Sequence, residues 1–457
     1  MKLTIISPPF GKGGTKSDSM QMAPPILEYL AILTQNIRPD IKIELIDANK
    51  EDFCVEKINA DVVAFSTLTP QALWVYAKAD EIRKKGIKVI IGGMHVTVLP
   101  EEGKQHADSI VIGEAESVWQ SVLKDAEDNK LLPFYKGERL SLDGFVKRDT
   151  GLLKSSYRFD SFFTARGCPY KCTFCSVRKF FGDTMRHRPI AEVVHDVAAS
   201  PKRMLMNIDD NIWGININRS IELYKELSKN VKGKWWFGQG DLLSPQHKKG
   251  DELLKWANKS GLTTVMVGWE SDNPASLEEY NAKTKQGKNR VDAIKKIRGY
   301  GIDVMMFIMV GSRSEDLDEY KKILELCDKL NVSAHPVMLT PFPGTELYEQ
   351  YREYLVPNMG WDRFDGNTAL FYHGDKDMTP SNREMALLWL RDKLFTWQRI
   401  LKCITKISLK GFPMAHFNSL MVQWAHKRAF KEYADNVLGG KKGVIFGDFD
   451  DLKRRLC

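Results

Sequence analysis

Short apolar runs alternate with amphipathic stretches twice along this chain, and a polar, glycine-broken stretch separates the two series. That rhythm narrows the fold more than any other feature. Strands that are apolar along their whole length must be buried on both faces, and a helix between each pair returns the chain so that the next strand lies parallel. The first series places strands at 3–7, 41–46, 61–66, 87–91 and 108–112, with helices at 26–35 and 73–85 and a glycine-rich turn over 10–14. Gly113-Glu114-Ala115-Glu116 opens a further helix to about residue 125. This is a doubly wound, Rossmann-like α/β domain over 1–135, whose ligands bind at the carboxyl ends of the strands.

The stretch 136–159 reads as a linker. Six further strands follow at 161–165, 204–208, 235–239, 263–267, 303–310 and 333–339, each with a helical segment behind it. Six such units predict a partial (β/α)6, TIM-like barrel over 160–350, with its chemistry at the strands' carboxyl ends. The rest, 351–457, is turn-rich and then mainly helical. There Ser381-x-x-Glu384 reads as a capping box. Leu387, Leu390, Leu394, Trp397, Leu401 and Ile404 then recur at helical spacing, widened by Trp389 and Phe395.

Composition sets the outer limits. With 457 residues, 43% hydrophobic and 28% charged, the chain has material for more than one core, which excludes a disordered or collagen-like polymer. The net charge of +8 sits wholly in residues 391–457, which hold 14 basic and 6 acidic side chains. Such a segment is a helix packed on the barrel, or an aromatic and basic surface for a peripheral membrane contact or a lipid-like substrate. No nucleic-acid module is recognisable, so no nucleic-acid partner is expected. No apolar run reaches spanning length, and the N-terminal run ends at Pro8-Pro9, too short for a signal peptide. The expected location is the cytoplasm.

Seven cysteines form no disulfide framework, because three crowd into Cys168-x3-Cys172-x2-Cys175 while Cys54, Cys327, Cys403 and Cys457 are scattered. Thiolates at this spacing bind soft metals or an iron–sulfur cluster. A structural zinc site needs a fourth ligand, which only His187 offers, from a segment leading into a helix. A four-iron cluster on three thiolates instead leaves one iron open, as a reaction centre requires.

The spacing, at the end of the first barrel strand, resembles that of the radical S-adenosylmethionine (radical SAM) superfamily. The neighbouring words agree: Arg166-Gly167-Cys168-Pro169, Phe174-Cys175-Ser176-Val177, Arg186-His187-Arg188-Pro189, Asp209-Asp210-Asn211, Gly238-Gln239-Gly240 and Gly268-Trp269-Glu270-Ser271. The resemblance covers 160–350. It implies a 4Fe-4S cluster on Cys168, Cys172 and Cys175, SAM chelating the open iron, and an external one-electron reductant of flavodoxin or ferredoxin type. Glu270 would hold the SAM ribose, or be a solvated strand end. Asp209 or Asp210 would orient SAM, or cap a helix. Gln239 and Asp241 would line the same mouth, and Arg178 and Lys179 would pair the SAM carboxylate or face solvent.

Residues 1–135 resemble the cobalamin-binding domain of the cobalamin-dependent subfamily, through Ser66-Thr67-Leu68-Thr69, Gly92-Gly93-Met94-His95 and Gly113-Glu114-Ala115-Glu116. Gly92, Gly93 and Gly113 let backbone approach a large flat ligand. Ser66 and Thr67 would donate to its nucleotide tail, with Leu68 and Glu114 alongside, and His95 would touch the corrin or be a satisfied loop residue. The D-x-H-x-x-G word that supplies a lower-face histidine is absent, which argues against His-on binding more than against cobalamin. The resemblance implies methylation of an unactivated carbon: a 5′-deoxyadenosyl radical takes hydrogen, methylcobalamin supplies methyl, and a second SAM remethylates the cobalt. The alternatives are a radical cyclase, oxidoreductase or rearrangement enzyme with the first domain as scaffold, and a non-catalytic corrinoid or SAM binder. The substrate is expected to be a small or lipid-like molecule.

Overall fold

Strand β1 (Lys2–Ser7) lies at the switch point of the first sheet, where the strand order changes direction. A computed structural model describes residues 1–10, 22–144, 152–153, 157–214, 216–282 and 289–405. The turn over 10–14 beyond its first residue, much of 136–159, the Cys403 and Ile404 side chains, and most of the basic tail with Cys457 lie outside the described residues. After β1 come α1 (Pro25–Ile37), β2 (Lys42–Asp47), β3 (Val62–Ser66), α2 (Ala72–Lys84), β4 (Lys88–Gly92), α3 (Met94–Val98), α4 (Pro100–Lys104), β5 (Ser109–Ile112), α5 (Trp119–Glu127) and β6 (Phe134–Lys136). The strands form one parallel sheet in the order β2-β1-β3-β4-β5-β6. Its faces are covered by α1 and α5 on one side and by α2, α3 and α4 on the other, through two apolar clusters. The doubly wound α/β class read from the sequence is the one observed.

Two local expectations fail here. The sheet gains a sixth strand, β6, which is too short to register as an apolar run. The helix expected from Gly113 begins only at Trp119. Gly113 adopts a φ of 79°, which breaks a helix at its first residue, and the carboxylates after it turn toward the barrel instead.

The barrel half begins with β7 (Asp160–Phe162), β8 (Ala165–Arg166), α6 (Val177–Phe181), β9 (Arg186–His187), α7 (Ile190–Ala199), β10 (Met204–Asn207), α8 (Ile217–Asn230) and β11 (Trp235–Gly240). It continues through α9 (Gly250–Lys259), β12 (Leu262–Glu270), α10 (Pro274–Glu279), α11 (Arg290–Gly299), β13 (Asp303–Val310), α12 (Asp318–Leu330) and β14 (Ser333–Met338). The six long-range strands are parallel, in the order β14-β13-β12-β11-β10-β7, as a partial barrel requires. Outer faces pack on the helices around buried Trp213, Trp236 and Trp269, while the inner face carries Met204, Phe237, Met266 and Met305. The first barrel strand stops earlier than expected, because Ala165–Arg166 pairs antiparallel with Arg186–His187. His187 is therefore on a ribbon, shortly before α7 begins at Ile190.

The chain then runs through α13 (Glu346–Tyr351) to α14 (Pro380–Leu394) and α15 (Trp397–Thr405). The expected capping box is replaced: the Thr379 hydroxyl accepts from the Asn382 N–H, and Glu384 accepts from the Ala369 N–H at 2.9 Å. Leu387, Leu390 and Leu394 join the barrel core. Arg391, the first of the basic residues counted in 391–457, is buried and donates to the Pro336 carbonyl at 2.8 Å. Buried Arg383 donates to the carbonyls of Gly311 and Phe371. The helix α14 is thus a barrel-packing element. Trp397 and Leu401 are about half exposed on α15.

Candidate functional site

The cysteines lie on the loop from β8 to α6. Gly167 opens it with a φ of 91°, and a Cβ there would meet the Thr184 carbonyl oxygen at 2.4 Å, so only glycine fits. The Thr173 N–H donates to the Tyr280 carbonyl at 3.0 Å and its hydroxyl to the Glu279 carbonyl at 2.8 Å. The Tyr170 hydroxyl donates to Asp241 at 3.3 Å. The loop is thereby tied to the strand ends across the mouth. Cys168, Cys172 and Cys175 all line a cavity of about 280 Å³, together with Asp210, Gln239 and Glu270. All three cysteines thus open onto one space. Three soft donors opposite an amide and two carboxylates fit an iron–sulfur cluster with an amino-acid and ribose ligand beside it.

Glu270 ends β12 with a φ of 65°, where the register with β13 slips between Gly268 and Glu270. The bulge re-aims the side chain into the mouth. The adjacent aspartates divide. Asp209 is fully buried and turned back: it accepts from the N–H groups of Thr164 at 2.6 Å and Ala165 at 3.2 Å, and from the Thr164 hydroxyl. Asp209, expected to touch cofactor, instead holds the approach to the cysteine loop, while Asp210 faces the cavity. Burial pushes Asp210 up to about 6, reinforced by the Asp209 charge. Asp241, raised by burial, accepts from Ser244 and Asn211 and braces Tyr170. Arg178 lines the cavity and pairs with Glu346 at 3.6 Å, while Lys179 faces the space between the domains.

At the carboxyl ends of β3, β4 and β5 a second cavity, about 240 Å³, is lined by Ser66, Leu68, Gly92, Gly93, Gly113 and Glu114, with Tyr29 of α1 and Arg166 of β8. Gly93 has a φ of 102°, and a Cβ on it would strike Thr67 backbone nitrogen and oxygen at 2.6 Å. The glycines leave a backbone-walled slot that fits a large ligand's tail. Thr67 is turned away from the slot: it is buried and its hydroxyl donates to the Leu68 carbonyl at 3.1 Å. His95 is also withdrawn, 3.3 Å from the Thr69 hydroxyl and 3.4 Å from Glu102. Burial lowers its pKa against the opposing pull of Glu102. Glu114 reaches the slot, yet its carboxylate is held by Arg166 at 2.8 Å and by Arg186.

A third cavity, about 420 Å³, joins the other two. It shares Leu68, Met94 and Phe180 with the slot, and Phe174, Met309 and Val337 with the cysteine cavity. Of its apolar walls, Leu68 is named from sequence, whereas Met309 and Val337 are not, because Met and Val inside a strand carry no motif of their own.

A parallel α/β domain with this glycine-walled slot, followed by a partial barrel bearing C-x3-C-x2-C, is the arrangement that the resemblance to two-domain radical SAM proteins implies. The comparisons agree. Residues 21–123 match the B12 binding domain family. Bacteriochlorophyllide d C-8(2)-methyltransferase of Chlorobaculum tepidum is 27% identical over 81% of this chain and 86% of its own length. The C-12(1)-methyltransferase of the same organism is 26% identical over 68% and 70%. The radical SAM methyltransferase TsrM of Kitasatospora setae, solved with cobalamin and a [4Fe-4S] cluster, shares the fold at a TM-score of 0.64 and 13% identity, over 95% of this chain and 99% of its own. The chain is thus similar over both of its α/β domains to cobalamin-dependent radical SAM methyltransferases. Among the described residues no helix is long and apolar enough to cross a membrane.

Proposed function

We propose that the protein is a cobalamin-dependent radical SAM C-methyltransferase acting on a small molecule. The observation that carries this reading is that the central apolar cavity shares lining residues with both the cysteine cavity and the glycine-walled slot. Cys168, Cys172 and Cys175 hold the cluster. Gln239, Glu270 and Asp210 hold SAM, with Asp209 behind them as a support. Ser66, Leu68, Gly92, Gly93 and Gly113 hold the cobalamin tail. When bound, these groups supply a 5′-deoxyadenosyl radical to remove hydrogen and a methyl group to replace it. Phe174, Met309 and Val337, which line both the cysteine cavity and the central one, would exclude water and help position a substrate, and no side chain would be needed as a general base.

The relatives' names support methyl transfer to carbon: two act on bacteriochlorophyllide, and a third, of Methylococcus capsulatus, is a hopanoid C-3 methylase. Those names and the apolar central cavity favour a lipid-like or polycyclic substrate. A one-electron donor of flavodoxin or ferredoxin type and a cytoplasmic location belong to the same reading, as does a peripheral membrane contact through the tail. A second reading, radical cyclisation, draws on the anaerobic magnesium-protoporphyrin IX monomethyl ester cyclase of Cereibacter sphaeroides, 26% identical over 65% of this chain.

The test is cobalamin content and product analysis on anaerobically reconstituted protein. Near one cobalamin per chain, with S-adenosylhomocysteine and 5′-deoxyadenosine formed together, is expected. Deoxyadenosine alone, without bound cobalamin, moves the assignment to the cyclase reading. Alanine at any one of the three cysteines should abolish cluster absorbance and reduce SAM cleavage to background.

A further inference from the structure

Between the slot and the cysteine loop lies a buried polar network that the proposed reaction does not use. Arg166 donates to Glu114 at 2.8 Å and to Glu116, and Arg186 donates to Glu114 and to the Leu140 carbonyl at 2.7 Å. The Tyr29 hydroxyl donates to Glu116 at 2.5 Å, and the Arg166 guanidinium lies over the rings of Tyr29, Phe163 and Phe181. All four charged side chains are at most 16% exposed, and two arginines balance two glutamates. Burial alone would raise the Glu116 carboxyl, but Arg166 and Tyr29 outweigh it and hold it below the usual range. Two desolvated ion pairs are a poor way to glue domains, since apolar side chains of the same volume do so at lower cost. Their merit is geometric: a planar guanidinium between two carboxylates has one orientation.

That orientation reaches both sites. Tyr29, Glu114, Glu116 and Arg166 are themselves walls of the slot. Arg166 is two residues before Cys168, across Gly167, whose N–H donates at 3.3 Å to Asp210 in the cysteine cavity. A ligand packed into the slot therefore bears on the residue that sets where the cysteine loop begins.

Resting on the function proposed above, we propose that Arg166 is a positioning residue through which occupancy of the slot orders the cysteine loop, so that cobalamin and SAM bind with positive coupling. The first ligand orders the network and the second meets a loop already ordered. Coupling of this kind is reciprocal, so either ligand should tighten the other by the same factor.

The experiment uses the full chain with its cluster reconstituted and oxidised, so that SAM binds without being cleaved. The SAM dissociation constant is measured by calorimetry with and without saturating hydroxocobalamin, and amide exchange is followed over 166–176. In the wild type, hydroxocobalamin should tighten SAM about fivefold or more and slow exchange in that segment. In E114Q/E116Q, which keeps the shape of two slot walls and removes their charge, the variant's own hydroxocobalamin affinity is titrated first to set saturation, and the coupling should fall to within about twofold of none. Full coupling in this variant, or none in a wild type that binds both ligands, overturns the inference and leaves the proposed function standing. If the wild type binds no hydroxocobalamin, the proposed function fails and this inference with it. Should E114Q/E116Q not hold a cluster, Arg166→Lys keeps the charge without the planar fork; coupling at wild-type strength there overturns the proposal equally.

Discussion

Glu270 and Gly93 show how single residues pay into this site in opposite ways. Glu270 takes a left-handed backbone conformation that a residue with a side chain adopts at a cost of about 1–3 kcal/mol, and the bulge in β12 directs its carboxylate into the cysteine cavity. Replacing it with glutamine keeps the shape and removes the charge. Glu270→Gln should weaken SAM binding by about tenfold or more, the worth of a hydrogen bond to a charged group, with the melting temperature unmoved. Equilibrium dialysis beside a thermal scan checks both halves. Gly93 is the reverse case, a residue whose lack of a side chain is its use. Gly93→Ala drives a Cβ into Thr67 backbone at 2.6 Å on a φ of 102°. It should cost about 1–3 kcal/mol, read as a lowered urea midpoint, and should diminish cobalamin binding.

At the scale of elements, the carboxyl ends of β12 and β13 are locked together by one buried carboxyl. Glu315 accepts from the Ser271 hydroxyl at 2.7 Å, the Ser276 hydroxyl at 3.2 Å and the Gly311 N–H at 2.8 Å. Burial pushes it up to about 7 despite these donors. A carboxyl raised on folding is stabilising while protonated, so its contribution is complete below the unfolded value near 4.5 and is lost as pH rises through about 7. The loss amounts to about 3 kcal/mol. Glu315→Gln cannot ionise, so the stability difference between variant and wild type should move in the variant's favour between pH 4.5 and 7 and stay level above. Denaturant titrations across that range check the sign. On the far side of the same strand end, Arg383 of α14 donates to the Gly311 carbonyl at 3.0 Å, so the helix that caps the barrel also steadies its reactive edge.

For the whole molecule, the C-terminal segment fastens the two α/β units on the side away from the Arg166 network. Trp361 donates to Glu102 at 2.8 Å and meets the His95 ring edge-on at 5.2 Å. Glu102 and His95 belong to the first domain, so this contact closes the protein around the central cavity. Trp361→Phe keeps most of the apolar contact and removes the donor. It should cost about 1.5–3 kcal/mol and should speed amide exchange over 355–371 while leaving exchange in β12 unchanged. Equal acceleration in both would mean that the segment is part of the barrel's own cooperative unit and not a strap across two domains.

The sequence by itself determined the two parallel α/β layers and the cysteine loop. Fully apolar strands have few ways to be buried, and three thiols in eight residues make a soft-metal or iron–sulfur ligand set wherever the fold carries them. It also marked Glu270, Gln239 and the glycines of the slot, because a strand's end is legible from its pattern. Tertiary structure decided what depends on direction across a few ångströms. Asp209 and Asp210 are neighbours with the same side chain, and only the turn after β10 sends one inward to Thr164 and the other to the cavity. Thr67 and His95 stand in the right motif, yet their own hydrogen bonds turn them away. Arg391 looked like surface charge until α14 laid it against the Pro336 carbonyl. The apolar walls between the cofactor sites, Phe174, Met309 and Val337, come from three separate strand ends and loops. Their meeting is a property of the closed fold, since apolar contact has no sequence signature beyond burial.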